Sequence, residues 1–221
     1  YFDVEVDRIN APQRPLPSGL LSRGEVMALA ILTALLGLAA AWAFNPLALG
    51  VSVVVWVMGF LYNWKLKAAG LWGNLIVSAS VAMTFILGGI GVGQAWNKTV
   101  WIFGLIAFFF DLAEEIAGDA MDAEGDRQRA SKSIAILSGK RAALRLSGVL
   151  FGVVILLSFA PLLWGGLGLR YLITISLTDA LIVFFGIRLL RSRTPAEGRW
   201  AMRGLYLSAS FGLLAFLLGS F

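Results

Sequence analysis

The chain has 221 residues, of which 59% are hydrophobic and 14% are charged, and its formal net charge is +5. Its mean hydropathy of +0.83 excludes an ordinary water-soluble domain and indicates a polytopic membrane protein. The absence of Cys and His excludes disulfides, thiolate or imidazole metal sites, and His-based catalysis. Carboxylates, Lys, Arg, Tyr, Ser, Thr, Asn and cations that prefer oxygen ligands remain available for chemistry.

The amino-terminal segment, "YFDVEVD", has neither an initiator Met nor a signal-peptide pattern, so we expect the chain to be part of a longer protein. Asp3 and Asp7 are four residues apart, and a helix would point both carboxylates in one direction. The next segment, Asn10 to Gly19, contains three prolines and cannot form a regular helix. We expect a stiff loop that holds Arg14 in a fixed position.

Seven apolar segments follow, each long enough to cross a bilayer as a helix. Their predicted bounds are Glu25 to Phe44, Pro46 to Trp64, Leu71 to Gly93, Thr99 to Gly118, Leu146 to Trp164, Tyr171 to Arg188 and Gly204 to Ser220. The loops 1–24, 65–70, 119–145 and 188–203 hold 16 of the 18 Lys and Arg residues. Since positively charged loops stay in the cytoplasm, these loops are predicted to be cytoplasmic. The net charge is therefore accounted for by membrane orientation and does not indicate nucleic-acid binding.

A stripe of carboxylates follows the fourth apolar segment. Asp119, Asp122 and Asp126 are spaced so that they share one helix face. Steps of four residues extend this face back to Glu115 and Asp111. Such a stripe repels itself and is costly at membrane depth unless cations neutralise it.

Two interpretations of this stripe are open. A charge run usually marks a solvated face, here one that pairs with the nearby residues Arg127, Arg129, Lys132, Lys140 and Arg141. Two Asp clusters on the same predicted side, each beside a membrane helix, favour a metal site instead. Mg²⁺ binds oxygen ligands and typically uses few protein carboxylates together with the phosphates of a substrate. The pattern therefore predicts a diphosphate held between the two clusters by bridging Mg²⁺.

Basic residues beside the acidic clusters are candidates for binding phosphate oxygens. They are Arg8, Arg14, Lys65, Lys67, Arg127 and Lys132. The arginines near the carboxyl end are assigned instead to orientation and lipid headgroup contact, namely Arg188, Arg191, Arg193, Arg199 and Arg203. Two carboxylates off the acidic face, Glu114 and Glu124, are predicted to be structural. Asp179, inside a membrane segment, is a functional candidate.

Two segments resemble a known family. The stretch "YFDVEVDRINAPQRPLPSG" resembles the first aspartate signature of the UbiA family of intramembrane prenyltransferases, and "DAMDAEGDRQRASKSIAI" resembles the second. The Glu-Gly-Asp form of the second motif and the segment "GLWGNLIVSASVA" are most similar to the archaeal ether-lipid branch of that family. The opening Asn-Asp of the first signature would precede Tyr1. We therefore expect this chain to lack two of the nine helices of the family, both at its amino end.

The resemblance implies an all-α bundle of membrane helices around a central cavity, forming a single prenyltransferase domain over residues 1–221. It implies that two Mg²⁺ ions are held on a prenyl diphosphate by Asp3, Asp7, Asp122 and Asp126, with Asp119 as a partner. The six basic residues named above would take up the remaining phosphate charge. The substrate pocket would include Tyr62 and Asn74, and either Lys65 or Lys67 would complete a Tyr-x-x-x-Lys element.

The implied reaction is Mg-dependent transfer of a prenyl group, expected to be geranylgeranyl, from its diphosphate to the hydroxyl of a lipid acceptor, expected to be geranylgeranylglyceryl phosphate. This function belongs to archaeal membrane ether-lipid biosynthesis in the cell membrane, with the acidic motifs on the cytoplasmic side and no obligate protein partner. An aromatic-acceptor prenyltransferase of a quinone, chlorophyll or haem pathway would share the same motifs. A CDP-alcohol phosphotransferase would need an Asp-Gly-x-x-Ala-Arg motif, which this chain lacks. A cation transporter would place its acids near the middle of the membrane.

Overall fold

The structure is a computed structural model that describes residues 1–127, 131–164 and 167–219. Within these ranges the chain forms helices and no strand, which confirms the predicted all-α class. The α-helices are α1 (Val4–Asn10), α2 (Arg23–Phe44), α3 (Pro46–Trp64), α4 (Leu71–Gly91), α5 (Lys98–Asp126), α6 (Ile134–Ser138), α7 (Lys140–Ser158), α8 (Leu169–Leu190) and α9 (Pro195–Gly219). Two 3-10 helices, Leu66–Ala69 and Ala160–Trp164, follow α3 and α7.

In the described part of the chain, six segments are long and apolar enough to cross a membrane. They are Arg23–Phe44, Pro46–Trp64, Leu71–Gly91, Lys140–Leu163, Leu169–Leu190 and Pro195–Gly219. The remaining predicted segment, 99–118, which is the fourth in chain order, lies within α5. Helix α5 is not among these six candidates. The second half of the predicted segment carries Asp111, Glu114 and Glu115, so its apolar run is interrupted within the bundle.

Helix α5 lies at the centre of the bundle. It packs against α1, α4, α6, α7 and α9. One of its faces supplies Leu112, Ala113, Ile116 and Ala117 to the main apolar core, and all four are at most 5% exposed. The opposite face carries the carboxylate stripe, so one helix separates the apolar core from an acidic surface.

Small residues let the helices approach closely in this core. Ala113, Ala117, Ala143 and Ala201 are fully buried where α5, α7 and α9 meet. Small side chains at such contacts bring helix backbones together, which is how membrane helices gain packing energy without a hydrophobic driving force. The outer helices differ, since side chains such as Leu35 on α2 are more than half exposed and present apolar surface to lipid.

The loop after α3 is fixed against the segment before α6. The backbone N–H of Lys132 donates to the carbonyl oxygen of Ala68 at 3.0 Å. Gly70 has a φ of +65°, and a Cβ built on it would lie 2.0 Å from the carbonyl oxygen of Lys132. Only a glycine fits both the backbone conformation and this close approach.

We expect Gly70→Ala to destabilise the protein, because the added methyl group meets backbone and the residue must hold a positive φ. The cost should be about 1 kcal/mol or more, which corresponds to a fall in Tm of about 2–4 °C or more for a chain of this size. Thermal unfolding in detergent, followed by Trp fluorescence, measures the change.

Gly37→Ala is the matched control. A Cβ at Gly37 meets no atom within 4 Å, and the residue lies in the regular helix α2. Alanine is favoured over glycine inside a helix by about 1 kcal/mol, so the Tm should stay unchanged or rise. Equal losses in the two variants would contradict the close approach at Gly70.

Candidate active site

Four of the five predicted metal-binding aspartates, all except Asp3, line a cavity of about 430 Å³ at the carboxyl end of α5. Six carboxylates line it: Asp7, Glu114, Glu115, Asp119, Asp122 and Asp126. Four basic side chains line it as well: Arg14, Lys67, Arg199 and Arg203. Asn10, Tyr62 and Tyr206 add polar groups. We call this space the acidic cavity, and its walls come from α1, the proline loop, α3, the loop after α3, α5 and α9.

Helix α1 brings the first acidic cluster to this cavity, and a cation meets each of its aspartates. Asp7 accepts a hydrogen bond from Arg14 at 2.7 Å, so the proline loop holds Arg14 in place as predicted. Asp3, which directly precedes the helix, accepts one from Lys67 at 2.7 Å. The sequence did not decide between Lys65 and Lys67, and the structure shows Lys67 in contact with the first acidic cluster.

The α5 face carries the predicted stripe, and polar donors from neighbouring helices hold it. Asn74 donates to Asp119 at 2.9 Å, and Tyr62 donates to Glu115 at 3.2 Å. Asp126 is only 3% exposed. Tyr62 and Asn74 thus orient carboxylates. Tyr62 lines the acidic cavity, whereas Asn74 is buried and is not among the described residues that line it, so the predicted place of both in the substrate pocket stays a prediction.

Several predicted phosphate-binding residues lie away from this cavity. Arg8 pairs with Glu5 at 2.7 Å on an exposed surface. In the part of the chain that the structure describes, Lys65, Arg127 and Lys132 are not among the lining residues of the acidic cavity. Their predicted contact with a diphosphate stays a prediction. Arg129, proposed above as a pairing partner of the stripe, lies outside the described residues.

Helix α9 supplies residues that sequence reasoning assigned elsewhere. Arg199 pairs with Asp122, and Arg203 lines the same cavity, so the assignment of these two arginines to headgroup contact alone was wrong. The Tyr206 hydroxyl donates to Glu114, which lines the acidic cavity; the structural role predicted for this glutamate stays a prediction. The three α9 residues are spaced at four and three residues, which places them on one helix face. This signal was visible in the sequence once α9 is extended back to Pro195.

A glycine of the second motif allows α1 to dock on α5. A Cβ built on Gly125 would lie 2.5 Å from Nδ2 of Asn10. The same Asn10 amide donates to the backbone carbonyl of Asp122 at 3.3 Å. The Glu-Gly-Asp sequence therefore leaves room for the contact that joins the two acidic clusters.

An apolar chamber of about 280 Å³ adjoins the acidic cavity. Its walls include Phe85, Phe103 and Phe110. The hydrogen-bonded pair Glu114 and Tyr206 lines both spaces and so lies at their boundary. Each space suits one part of an amphiphilic molecule, the acidic cavity a charged group with its cations and the chamber a hydrocarbon chain.

Two further carboxylates lie in the wall of this chamber. Asp111 accepts a hydrogen bond from the Ser78 hydroxyl at 2.8 Å. Asp179, flagged from the sequence, lies 2.8 Å from the Ser158 hydroxyl. Both carboxylates therefore lie in the wall of an otherwise largely apolar space.

The donor set of the acidic cavity suits a hard divalent cation. All of its carboxylates offer oxygen ligands, which Mg²⁺ and similar ions prefer. Within the described ranges, no group of three or more acidic side chains is close enough to hold a metal ion alone. Mg²⁺ usually binds through one or two carboxylates plus substrate phosphates, so this arrangement fits a metal whose coordination a diphosphate completes.

Comparisons with known proteins agree with this geometry. The model of the "UbiA prenyltransferase family" matches residues 1–218. The digeranylgeranylglyceryl phosphate synthase of Thermococcus kodakarensis is 34% identical over 221 residues, which cover 100% of this chain and 78% of the relative. The protein of the same name from Methanopyrus kandleri is 36% identical over 221 residues, which cover 98% of this chain and 79% of the relative.

Two solved structures are also similar. One, described as giving insights into the biosynthesis of digeranylgeranylglyceryl phosphate synthase in membranes, has a TM-score of 0.75 and 30% identity, covering 99% of this chain and 77% of the other. A UbiA homolog from Aeropyrum pernix K1 has a TM-score of 0.83 and 19% identity, covering 98% of this chain and 80% of the other. The second likeness supports the fold.

We expect Gly125→Ala to loosen α1, because the new methyl group takes the place of the Asn10 amide and breaks its hydrogen bond to α5. A loss of about 1 kcal/mol in docking would raise the rate of trypsin cleavage after Arg8, which is exposed in α1, by about fivefold. Mass spectrometry of the released fragments measures the rate. Gly118→Ala serves as the control, because its Cβ makes only an ordinary contact of 3.7 Å with Met202. Identical cleavage of the two variants would argue against this docking contact.

Proposed function

The chain belongs to the UbiA prenyltransferase family and is a prenyltransferase, and we propose that it transfers a geranylgeranyl group from geranylgeranyl diphosphate to the free hydroxyl of geranylgeranylglyceryl phosphate. The resemblance read from the two aspartate motifs is thereby confirmed. The observation that carries the proposal is the junction of the acidic cavity with the apolar chamber. The proposed product is digeranylgeranylglyceryl phosphate, the lipid after which the two relatives are named.

Prenyltransferases of this family generally use a divalent metal, and we propose Mg²⁺ for this chain. Asp7, Asp119, Asp122 and Asp126 line the cavity and would hold it, with Asp3 beside Asp7. When bound, the metal stabilises the negative charge that develops on the departing diphosphate.

Basic side chains of the cavity would bind the remaining phosphate oxygens. Arg14 and Lys67 reach the cavity from the first acidic cluster, and Arg199 and Arg203 reach it from α9. Arginine binds phosphate in a bidentate manner, whereas lysine acts as a point charge. Because Arg14, Lys67 and Arg199 are held by aspartates, their positions are set before the substrate arrives.

The apolar chamber would hold the prenyl chain and exclude water from the reacting carbon. The C1–O bond of the donor breaks and its electron pair leaves with the diphosphate, while the acceptor oxygen forms an ether bond to C1. Faces of Phe85, Phe103 and Phe110 would stabilise the positive charge at the allylic carbon. The hydroxyl proton of the acceptor passes to a carboxylate, for which we propose Asp111 or Glu115, since one lines the chamber and the other the acidic cavity.

The proposed orientation puts the acidic cavity on the cytoplasmic side of the cell membrane. Its walls come from α1, the loop after α3, the end of α5 and the start of α9. All of these belong to the loops or helix ends that hold 16 of the 18 Lys and Arg residues. Lys and Arg near membrane helices mark the cytoplasmic side, so the charge distribution supports this orientation.

We expect Asp126→Asn to reduce diphosphate release from geranylgeranyl diphosphate in the presence of geranylgeranylglyceryl phosphate by at least about hundredfold. The substitution removes a proposed ligand of the metal that would stabilise the charge on the leaving diphosphate. The assay uses the full-length protein with Mg²⁺ present. Asp126 is 3% exposed in the wall of the acidic cavity.

Glu124→Gln is the matched control, because Glu124 lies two residues earlier on α5 and is exposed. It should keep wild-type activity. Activity of Asp126→Asn near the wild-type level would contradict the assignment of Asp126 as a metal ligand. Transfer by the wild type to an aromatic acceptor, with none to the glyceryl phosphate lipid, would replace the proposed acceptor with an aromatic one.

A further inference from the structure

A second cavity, of about 860 Å³, lies between the carboxyl end of α8 and the start of α9. Its walls include Arg188, Arg191, Ser192, Trp200 and Arg203. We call it the arginine groove. The reaction chemistry above uses only one of these residues, Arg203, which also lines the acidic cavity.

The arginine groove is strongly positive. Among the described residues none of its three arginines forms an ion pair. Its one carboxylate, Glu197, accepts a hydrogen bond from the backbone N–H of Arg193 at 2.8 Å and so helps to begin α9. Three guanidinium groups therefore face one carboxylate that is already engaged. Guanidinium groups arranged in this way bind a phosphate through paired hydrogen bonds.

An unpaired hydroxyl in the same groove points to a ligand with acceptor oxygens. The Ser192 side-chain oxygen is buried and has no hydrogen-bond partner in the described part of the chain. Buried hydroxyls nearly always have a partner. Because this oxygen is closed to solvent, a change of the Ser192 rotamer would be needed to turn its hydroxyl toward a phosphate oxygen held by the neighbouring arginines.

The other wall of the groove is apolar and lies at the ends of two membrane helices. Trp200 and Phe184 are each 49% exposed, and Ile187 is 43% exposed. Aromatic residues at this level prefer the interface between lipid and water. A groove with arginines on one side and aromatic surface on the other fits a phosphate attached to a lipid better than a phosphate free in water.

We propose that the arginine groove binds the phosphate of the lipid acceptor, which deepens the proposed function and rests on it. Carboxylates outnumber basic groups in the acidic cavity, so it would repel a second phosphate, and the metal proposed above would serve the donor diphosphate. The acceptor phosphate therefore needs positive charge from elsewhere. Arg188 and Arg191 supply this charge, and Ser192 adds a neutral hydroxyl. Arg203 joins the groove to the acidic cavity, where the acceptor hydroxyl reacts.

The test compares two acceptors, geranylgeranylglyceryl phosphate and the same alcohol without its phosphate, in the full-length protein. We expect the wild type to prefer the phosphorylated acceptor by about hundredfold in kcat/KM, and the double variant Arg188→Gln/Arg191→Gln to prefer it by less than about tenfold. The change should lie in the KM for the phosphorylated acceptor. The KM for geranylgeranyl diphosphate should not change. A general structural defect would change the KM for both substrates.

Arg193→Gln is the control, since Arg193 is exposed in the same connection and does not line the groove. It should keep the wild-type preference. A double variant that retains this preference, or that loses activity equally with both acceptors, would overturn the proposal. If the wild type prenylates neither acceptor, the proposed function is contradicted before any variant is compared, and so is the assignment of the groove.

A binding measurement separates the sources of phosphate. Labelled acceptor bound to the wild type is displaced with unlabelled acceptor, inorganic phosphate or vesicles of phosphatidylglycerol. We expect the last two to be at least about tenfold weaker, because only the acceptor combines a matching headgroup and chain. Displacement by inorganic phosphate or by the vesicles as effective as by the acceptor would overturn the proposal, as would unchanged acceptor binding in the double variant.

Discussion

Mutual repulsion of carboxylates beside an apolar core is the constraint on which the arrangement of this protein depends. Like charges on one helix face destabilise it, and the cost rises away from water. The kind of group that donates a hydrogen bond to each carboxylate changes along α5. The earlier carboxylates Asp111, Glu115 and Asp119 receive hydrogen bonds from neutral groups of α3 and α4, whereas Asp122, nearer the helix end, meets Arg199. Neutral donors orient the carboxylates without cancelling their charge, which leaves the cavity suited to a cation.

The sequence predicted the half of this site that depends on local helix geometry. The spacing of Asp119, Asp122 and Asp126 fixes a common face for any helix, whatever surrounds it. The contribution of α9 was missed because hydropathy located the apolar part of that helix, from Gly204, and treated the charged residues before it as loop. The helix begins at Pro195, so Arg199 and Arg203 belong to its first three turns, and both line the acidic cavity.

The choice between Lys65 and Lys67 shows a different limit of sequence reasoning. The Tyr-x-x-x-Lys spacing of the family matched neither of the two lysines, which follow Tyr62 by three and five residues. Helix α3 ends at Trp64 and a 3-10 helix follows, so helix geometry does not extend to Lys67. The path of this segment depends on Gly70, which has a positive φ and lies close to the backbone of Lys132. Lys132 is more than sixty positions away in the sequence. Such a contact leaves no periodic signal, so only the folded structure brings Lys67 to Asp3.

The change from charged to dry surroundings takes place over about one turn of α5. Glu115 faces the acidic cavity, Asp111 faces the apolar chamber, and Glu114 with Tyr206 lines both. A prenyl diphosphate needs both environments at once, since its leaving group requires cations and its allylic carbon requires protection from water. One continuous helix fixes the distance between the two environments. In the proposed reaction the bond that breaks would lie at their boundary, where the Glu114 and Tyr206 pair would separate the diphosphate from the hydrocarbon chain.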